Sequence, residues 1–538
     1  MFDICDYQTE EHTIDTLIDA LEVISPLLRD ILITMAKDQP AGAEAVNVDY
    51  AAIVASWSPE ERASREKAFL RKIDFRLLPI LIIMYIMNYI DRNAVPHARV
   101  QGLEDDLGLK GVEYNVVLSV TFVGYILMQV PSNMILSKFR PSWYLATCMT
   151  AWGIVSGCTA AVKGFGGLVA CRFFLGVTEA PFFVGVAFLF SGWYTRKELG
   201  LRLGIFFCAA MLSGAFGGLF AAGIAAAFKN NKIESWRWLF LLEGIATVVF
   251  AVVTGFVIPD WPATTKWLSQ EEKALGVMRI VEDAGEEEEE ITTMAAFKMA
   301  AGDYRVWLCI CGQMCIQAVA SLTNFLPTLV KSFGFGTIET LLLTAPPYLF
   351  TAIFCLFNTW YSDRTSMRSP HMIYPSFVAL AGIIITMATT NIGARYFALF
   401  LMLPGTYGCF QISNAWMANI GARPRKKRAI SLAMNNSVGN LALVWTPYLY
   451  PASDGPRYMT AWSVNLALTV ITIASSVALT VCLRRDNKKM DEMEATLSVE
   501  EGVSGKNLAE HVEKHGEHAT AGRPLGGINA GNKARYDI

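Results

Sequence analysis

Long apolar runs divide the chain into segments that are each close to the length of a membrane-crossing helix. Such a helix needs about 20 mainly apolar residues. In the first half the runs lie at 75–95, 115–137, 143–162, 166–191, 201–227 and 237–258. In the second half they lie at 305–330, 340–361, 371–390, 395–420, 428–450 and 458–483. The pattern predicts an all-α membrane protein with about twelve transmembrane helices.

A polar stretch from Pro259 to Gly302 separates the two groups of runs, and it contains the acidic run Glu286–Glu290. That acidic run is most simply a solvated linker, because blocks of like charge favour water. Two repeated bundles joined by a linker are typical of carriers with a central site. We predict a cytoplasmic N-terminal region over 1–73, a six-helix bundle over 74–258, a cytoplasmic linker over 259–302, a second six-helix bundle over 303–483 and a disordered cytoplasmic tail over 484–538.

Basic residues predict the orientation, since Lys and Arg in short loops favour the cytoplasmic side. They are concentrated before the first run, in alternate loops and after the last run, which places both termini in the cytoplasm. We therefore predict a multi-pass protein of the plasma membrane. Residues 13–35 mix apolar and charged positions, which indicates an amphipathic helix rather than a span or a signal peptide.

Composition supports a membrane protein and excludes several other classes. Hydrophobic residues make up 53% and charged residues 17% of the chain, whereas soluble domains carry about 25% charge. The net charge of −3 and the lack of a basic face give no indication of nucleic-acid binding. The eleven cysteines lie mostly in apolar runs without paired loop spacing, so we predict neither disulfides nor a metal site.

Two ionisable residues lie inside the fourth apolar run, in the segment CRFFLGVTEAPFF. Arg172, Gly176 and Glu179 are offset by four and seven positions and so share one helix face. Charged side chains in hydrocarbon are costly and usually face a water-filled or substrate-filled cavity. A structural ion pair is the alternative interpretation.

Charges inside the predicted spans are distributed unequally between the two halves. The first half also holds Asp91, Arg92 and Glu243, while the deep parts of the second-half spans contain no acidic residue. A site with ionisable groups on one wall suits coupling of a proton to a polar solute. A guanidinium matches a substrate carboxylate. If an anion engaged Arg172, its hold on an ionised Glu179 would weaken, so anion and proton binding would favour each other.

Three motifs carry a family resemblance that covers about residues 65–490. NYIDRNAV at Asn88–Val95, RFFLGVTEAPFF at Arg172–Phe183 and WYSDRTSMR at Trp360–Arg368 together resemble the major facilitator superfamily. Within it the chain is similar to the anion:cation symporter family, in particular the fungal allantoate permease branch that includes nicotinate and pantothenate carriers. The resemblance implies the major facilitator fold of two six-helix bundles.

The resemblance also implies roles for the matching residues. Asp91 and Glu179 would carry protons, and Arg92 would tune Asp91. Arg172 would meet the substrate anion, and Arg92 would also belong to the substrate-binding site. Tyr89 and Tyr125 would line that site as hydrogen-bond donors. The set Asp363, Arg364 and Arg368 would form a cytoplasmic gate.

Two departures from the superfamily pattern bear on mechanism. Ser137 stands where the equivalent first-half loop usually has an acid, which weakens that gate. The fifth run reads LSGAFGG without the Gly-Pro step of proton-antiporting exporters, which counts against efflux by antiport.

The favoured function is proton-coupled uptake of a small organic anion, such as a vitamin acid, a ureide or another carboxylate, by a monomer in a lipid bilayer without a cofactor. A metabolite exporter and a non-transporting nutrient sensor on a transporter fold remain alternatives. An enzyme is least favoured, because the sequence holds no HExxH motif or phosphate-binding loop.

Overall fold

The computed structural model describes residues 50–136, 139–284, 292–365, 367–420 and 425–501, and no strand occurs within them. The helices up to the linker are α1 Tyr50–Ala55, α2 Pro59–Val100, α3 Leu103–Leu107, α4 Glu113–Leu136, α5 Pro141–Cys158, α6 Phe165–Ser191, α7 Arg196–Ala227, α8 Ser235–Val257 and α9 Gln270–Ala284. Those that follow are α10 Thr293–Ala301, α11 Tyr304–Ala320, α12 Leu326–Lys331, α13 Thr337–Thr365, α14 Ser369–Ala388, α15 Ile392–Ile420, α16 Arg425–Trp445 and α17 Met459–Glu501. Short 3₁₀ turns lie at Thr159–Ala161, Ser321–Phe325, Thr446–Leu449 and Ala452–Asp454.

All the predicted spans coincide with helices, which confirms the all-α fold class. Eight of the described helices are long and apolar enough to cross a membrane. The predicted spans on α4, α5, α15 and α16 are helical as well. Among them, α16 begins with the basic run Arg425–Arg428. The described residues fall into two compact units, whose bounds along the chain are Met1–Ala209 with Phe220–Gly285 and Ala210–Leu219 with Glu286–Ile538.

Helix α2 begins well before the first apolar run. Ser58 is its N-cap, and its side chain accepts a hydrogen bond from the Glu61 amide at 3.2 Å. Pro59 fits the first helical position because its fixed φ suits a helix and it has no N–H to satisfy. The acidic residues of the first turn complement the positive end of the helix dipole. This start gives α2 a charged extension ahead of the segment that carries Asp91.

The predicted linker is partly folded against that extension. Helix α9 buries Ala274 and Leu275, and its acidic side forms ion pairs with the basic side of α2. Lys72 contacts Glu272 at 2.7 Å, and further pairs join Arg62 to Glu282 and Arg65 to Glu271. The expected acidic linker run Glu286–Glu290 lies outside the described residues, as do residues 13–35 and Ser137.

The prediction of disorder from residue 484 onwards is wrong for its first part. Helix α17 continues from the last apolar run to Glu501. The added segment is rich in Glu, Arg, Lys and Met, which favour helix intrinsically, and Lys488 lies 3.8 Å from Glu492 one turn later. The remainder of the tail lies outside the described residues.

A buried ionic network ties three helices of the second unit together at one end. Asp303 caps α11 and accepts hydrogen bonds from Arg305 Nε at 2.9 Å and Nη2 at 3.0 Å. Lys427 Nζ of α16, which is fully buried, donates to Asp303 at 2.8 Å. Arg305 also contacts Asp486 of α17 at 3.4 Å. Burial alone would raise the pKa of Asp303, but the hydrogen bond and charge of Arg305, together with Lys427, outweigh it and hold that pKa below its ordinary value.

We expect Asp303→Asn to destabilise the second unit strongly. The change leaves Lys427 charged and buried without its carboxylate, a defect that costs about 3–5 kcal/mol in other proteins. The matched control is Asp363→Asn, which removes a carboxylate from a pair whose acid is 43% exposed and should cost about 0–1 kcal/mol. Apparent melting temperatures of the purified proteins test this, and equal melting temperatures for the two variants would contradict it. Because folding lowers the pKa of Asp303, the difference in melting temperature between the two variants should have its full size above about pH 4. It should shrink only as the pH falls further and Asp303 takes up a proton.

Candidate functional site

Close helix packing places the charged residues of α6 beside α4. A Cβ atom built at Gly176 would lie 1.9 Å from the backbone oxygen of Thr121, so only glycine permits this approach. Small residues commonly allow such contacts between membrane helices. Arg172 and Glu179 flank this contact, one turn before it and about one turn after it. Their positions are therefore set by backbone contact rather than by flexible side chains.

A second close contact brings α8 against α5. A Cβ at Gly244 would lie 2.6 Å from the backbone oxygen of Gly153. Glu243 and Thr247 are four positions apart on α8 and so lie on one face. Ser156 of α5 lies near this contact, and all three side chains are buried.

Two charged groups of the first unit contain the ionisable residues singled out by the sequence, and the first is the pair of Arg92 of α2 and Glu179 of α6. Arg92 Nη2 lies 2.8 Å and Nε 2.9 Å from Glu179 Oε2. Glu179 is fully buried, whereas the Arg92 side chain is 17% exposed. Arg172 was the expected partner of Glu179, and that expectation is wrong because Arg92 from another helix takes this position.

Aromatic rings surround the exposed side of Arg92. Its guanidinium lies 5.0 Å from the ring centre of Tyr89, 5.2 Å from that of Tyr125 and 6.0 Å from that of Phe122. These distances are typical of cation–π contacts. Tyr89 and Tyr125 were expected to act as hydrogen-bond donors; here their rings line the guanidinium, and the Tyr89 hydroxyl lies 3.5 Å from that of Tyr85.

The second group is centred on Asp91, which is fully buried. Its Oδ1 accepts a hydrogen bond from Ser156 at 2.8 Å, and its Oδ2 accepts one from Thr247 at 2.9 Å. Both carboxylate oxygens are thus satisfied by hydroxyl groups from α5 and α8. Arg92, which was expected to tune Asp91, is instead hydrogen-bonded to Glu179.

Arg172 belongs to this second group and not to the first. Its Nη1 donates to the backbone oxygen of Asp91 at 3.3 Å, and its guanidinium lies 5.0 Å from the ring centre of Phe240. Nε and Nη2, which form one edge of the guanidinium, have no hydrogen-bond partner among the described residues. The residue is only 2% exposed, so in this conformation solvent hardly reaches Arg172.

Glu243 is a buried acid for which the sequence predicted no role. It is 3% exposed, and neither carboxyl oxygen has a hydrogen-bond partner among the described residues. An acid in an apolar run is conspicuous in the sequence. Ser156 and Thr247 are not, because hydroxyl residues are common in membrane helices. Only the helix packing shows that they meet Asp91.

The expected gate residues lie at the junction of α13 and α14 in the second unit. Arg368 Nη1 donates to Asp363 Oδ1 at 2.5 Å and to Ser362 Oγ at 3.1 Å. Arg364 lies over the ring of Trp360 at 5.5 Å. Asp363 and Arg368 therefore form a local ion pair, whereas Arg364 contacts Trp360. The gating role of the three residues stays a prediction.

Comparison with known proteins gives one consistent result. The sequence profile of the Major Facilitator Superfamily matches residues 81–447. The Major facilitator-type transporter hxnP of Emericella nidulans is 30% identical over 454 residues, which cover 83% of this chain and 91% of that protein. The MFS-type transporter efuF of Hormonema carpetanum is 32% identical over 431 residues, covering 79% and 86%.

Solved structures show the same fold at low sequence identity. A D-xylose-proton symporter matches with a TM-score of 0.58 at 14% identity, covering 74% of this chain and 97% of that one. A bacterial homologue of the human lysosomal transporter Spinster, in an inward-facing and unoccupied conformation, matches with a TM-score of 0.56 at 15% identity, covering 75% and 94%.

We predict that Gly176→Ala disrupts both the packing and the site. The new methyl group would collide with the backbone oxygen of Thr121, which cannot move aside as a side-chain tip can. Helices α4 and α6 must then separate, which displaces Arg172 and Glu179. The control is Gly223→Ala, where nothing lies within 4 Å of the new atom and alanine favours the helix by about 1 kcal/mol. Thermal melts should show a large drop for Gly176→Ala alone; a drop of equal size in both variants would refute the argument.

Proposed function

The chain belongs to the Major Facilitator Superfamily, and we propose that this transporter couples the uptake of a small organic anion to the entry of protons. The observation that carries the proposal is the buried ion pair between Arg92 and Glu179. The Glu179 carboxylate is sealed from solvent, while the Arg92 guanidinium that holds it is partly exposed. A proton that binds the carboxylate and an anion that binds the guanidinium would therefore act on the same ion pair. We further propose residence in the plasma membrane, with both termini in the cytoplasm.

Arg92 is the better candidate for the substrate-binding cation. It retains some exposure, whereas Arg172 is almost completely buried. A guanidinium can bind a carboxylate through two parallel hydrogen bonds. The neighbouring rings of Tyr89, Tyr125 and Phe122 suit a substrate with a flat apolar or aromatic body. This favours an aromatic or heteroaromatic acid within the class of small organic anions.

Proton and anion binding are linked through competition for Arg92. While Glu179 is ionised it occupies the Nε and Nη2 edge of the guanidinium. A proton on Glu179 weakens that pair and frees the edge for the substrate carboxylate. Each ligand therefore raises the affinity for the other, which is the thermodynamic requirement of symport.

Other predicted residues take supporting roles in this proposal. Asp91 is proposed as a further proton-carrying acid. The cluster of Asp363, Arg364 and Arg368 is proposed to bias the opening of the cytoplasmic side, since carrier conformations differ by only a few kcal/mol and small changes shift their populations.

The test is uptake by the purified protein in lipid vesicles. A panel of radiolabelled aromatic, heteroaromatic, aliphatic and ureido carboxylic acids is offered with and without an inward proton gradient. We expect one or more acids to accumulate only with the gradient and to be released by a protonophore. Gradient-driven depletion would favour an exporter, and the absence of flux for every acid in the panel would favour a sensor; either result would overturn the proposal.

Glu179→Gln should abolish accumulation while exchange of preloaded substrate continues. Glutamine resembles a permanently protonated glutamate, and exchange requires no release of the proton. Counterflow and gradient-driven uptake are measured on the same vesicle preparation. Glu60→Gln, an exposed residue in the first turn of α2, is the control and should behave as the wild type. Normal accumulation by Glu179→Gln would show that this acid does not couple transport to protons.

Arg92→Lys and Arg172→Lys should have different effects. Lysine keeps the charge but loses the planar fork, so we expect Arg92→Lys to raise the apparent KM about tenfold, or about 1.4 kcal/mol of binding free energy. Arg172→Lys should leave KM within about threefold of the wild type and lower the melting temperature instead, because it disturbs a buried contact. The reverse pattern would identify Arg172 as the substrate-binding residue.

A further inference from the structure

The carboxyl group of Glu243 lies in an environment that disfavours its ionised form. It is 3% exposed, and both oxygens lack a hydrogen-bond donor among the described residues. Asp91 provides the contrast within the same unit, because each of its oxygens accepts a hydroxyl hydrogen bond. A buried carboxylate without donors is strongly unfavourable, whereas a neutral carboxylic acid is tolerated.

The charges around Glu243 come from two other helices. Asp91 of α2 repels its ionised form and Arg172 of α6 attracts it. Two further elements that pack extensively on α8 are α5 and the turn Thr159–Ala161, and neither contains Asp, Glu, His, Lys or Arg. Near the start of α8, Arg237 pairs with Asp106 of α3 at 2.7 Å. With Glu243 neutral, the positive charge of Arg172 balances the negative charge of Asp91. With Glu243 ionised, the group carries one net negative charge.

Arg172 offers a position that an ionised Glu243 could use. Its Nε and Nη2 edge has no partner among the described residues. The same edge binds a carboxylate elsewhere in this protein, in Arg202 with Asp74 and in Arg305 with Asp303. Phe240, Glu243 and Thr247 share one face of α8, and on that face Phe240 contacts Arg172 while Thr247 contacts Asp91. Glu243 therefore lies between the two charged partners along the helix.

We propose that Glu243 is a further proton-binding site, sealed from the substrate and separate from both the Arg92–Glu179 pair and Asp91. In the conformation described here Glu243 holds the proton. When the helices rearrange, the proton leaves a Glu243 oxygen for water, and the resulting carboxylate pairs with the free edge of Arg172. The inference rests on the proposed proton-coupled function and adds to it, since one transport cycle would then move a proton through this site as well as one through Glu179.

The assignment is tested without any substrate. Infrared difference spectra of the purified full-length protein in lipid vesicles, recorded against pH, show the carbonyl stretch of a protonated carboxylic acid in a dry environment. We expect a band that titrates in the wild type, is lost in Glu243→Gln and persists in Glu60→Gln. A band that is unchanged in Glu243→Gln, or a Glu243 band that does not respond to pH, would overturn the proposal.

A second variant keeps the test valid if Glu243→Gln does not fold. Glu243→Asp keeps the carboxyl group but shortens its reach, so the band should remain at a shifted position. A band of unchanged position and amplitude would belong to another acid and would overturn the assignment. Because no transported anion is needed, failure here leaves the proposed function standing, and failure of the uptake panel leaves this assignment standing.

The contribution to transport is measured with an acid that the uptake panel identifies. The ratio of substrate gradient to proton gradient at zero net flux gives the number of protons per anion. Glu243→Gln should lower that number by one and still accumulate substrate, whereas Glu179→Gln should not accumulate at all. An unchanged proton number in a folded Glu243→Gln protein would show that Glu243 does not carry a transported proton.

Discussion

A charge inside the hydrocarbon region persists only when an opposite charge or hydrogen-bond donors lie beside it. The first unit meets this condition for Glu179 with Arg92, and for Asp91 with Ser156 and Thr247. These two acids and their three partners come from four different helices, so the helices must approach closely before the charges can be accommodated. The glycine contact between α4 and α6 and that between α5 and α8 make this approach possible. The burial of these charges therefore depends on the close helix packing that the glycines allow.

The two charged groups differ in what can reach them. Arg92 is partly exposed and lies among aromatic rings, whereas the group of Asp91, Arg172 and Glu243 is sealed within the unit. An exposed group can exchange partners with a bound solute. A sealed group can change only its protonation or its internal pairing. Asp91 and Arg92 are neighbours on one helix, yet Asp91 belongs to the sealed group and Arg92 to the partly exposed one.

The sequence predicted the fold because an apolar run of membrane length has few alternative structures. It also identified Asp91, Arg172 and Glu179, since charges within such runs are conspicuous. It paired Arg172 with Glu179 wrongly, because seven residues along a helix separate two Cα atoms by about 10 Å, and the nearer partner comes from α2. The folding of α9 and the length of α17 were missed for a related reason: charged helices resemble solvated linkers until their partners, such as Lys72 or Arg62, are known.

The buried position of Lys427 has a consequence for how the protein is made. Basic residues that flank a helix help to set its direction while the chain is inserted into the bilayer. At that stage Lys427 contributes to the basic run Arg425–Arg428 as a free charge. In the finished structure the same ammonium group is fully buried against Asp303 and joins α16 to α11. The same side chain can thus serve first as an insertion signal and later as part of a buried ion pair between two helices. More basic residues therefore orient the nascent chain than remain exposed on the folded protein.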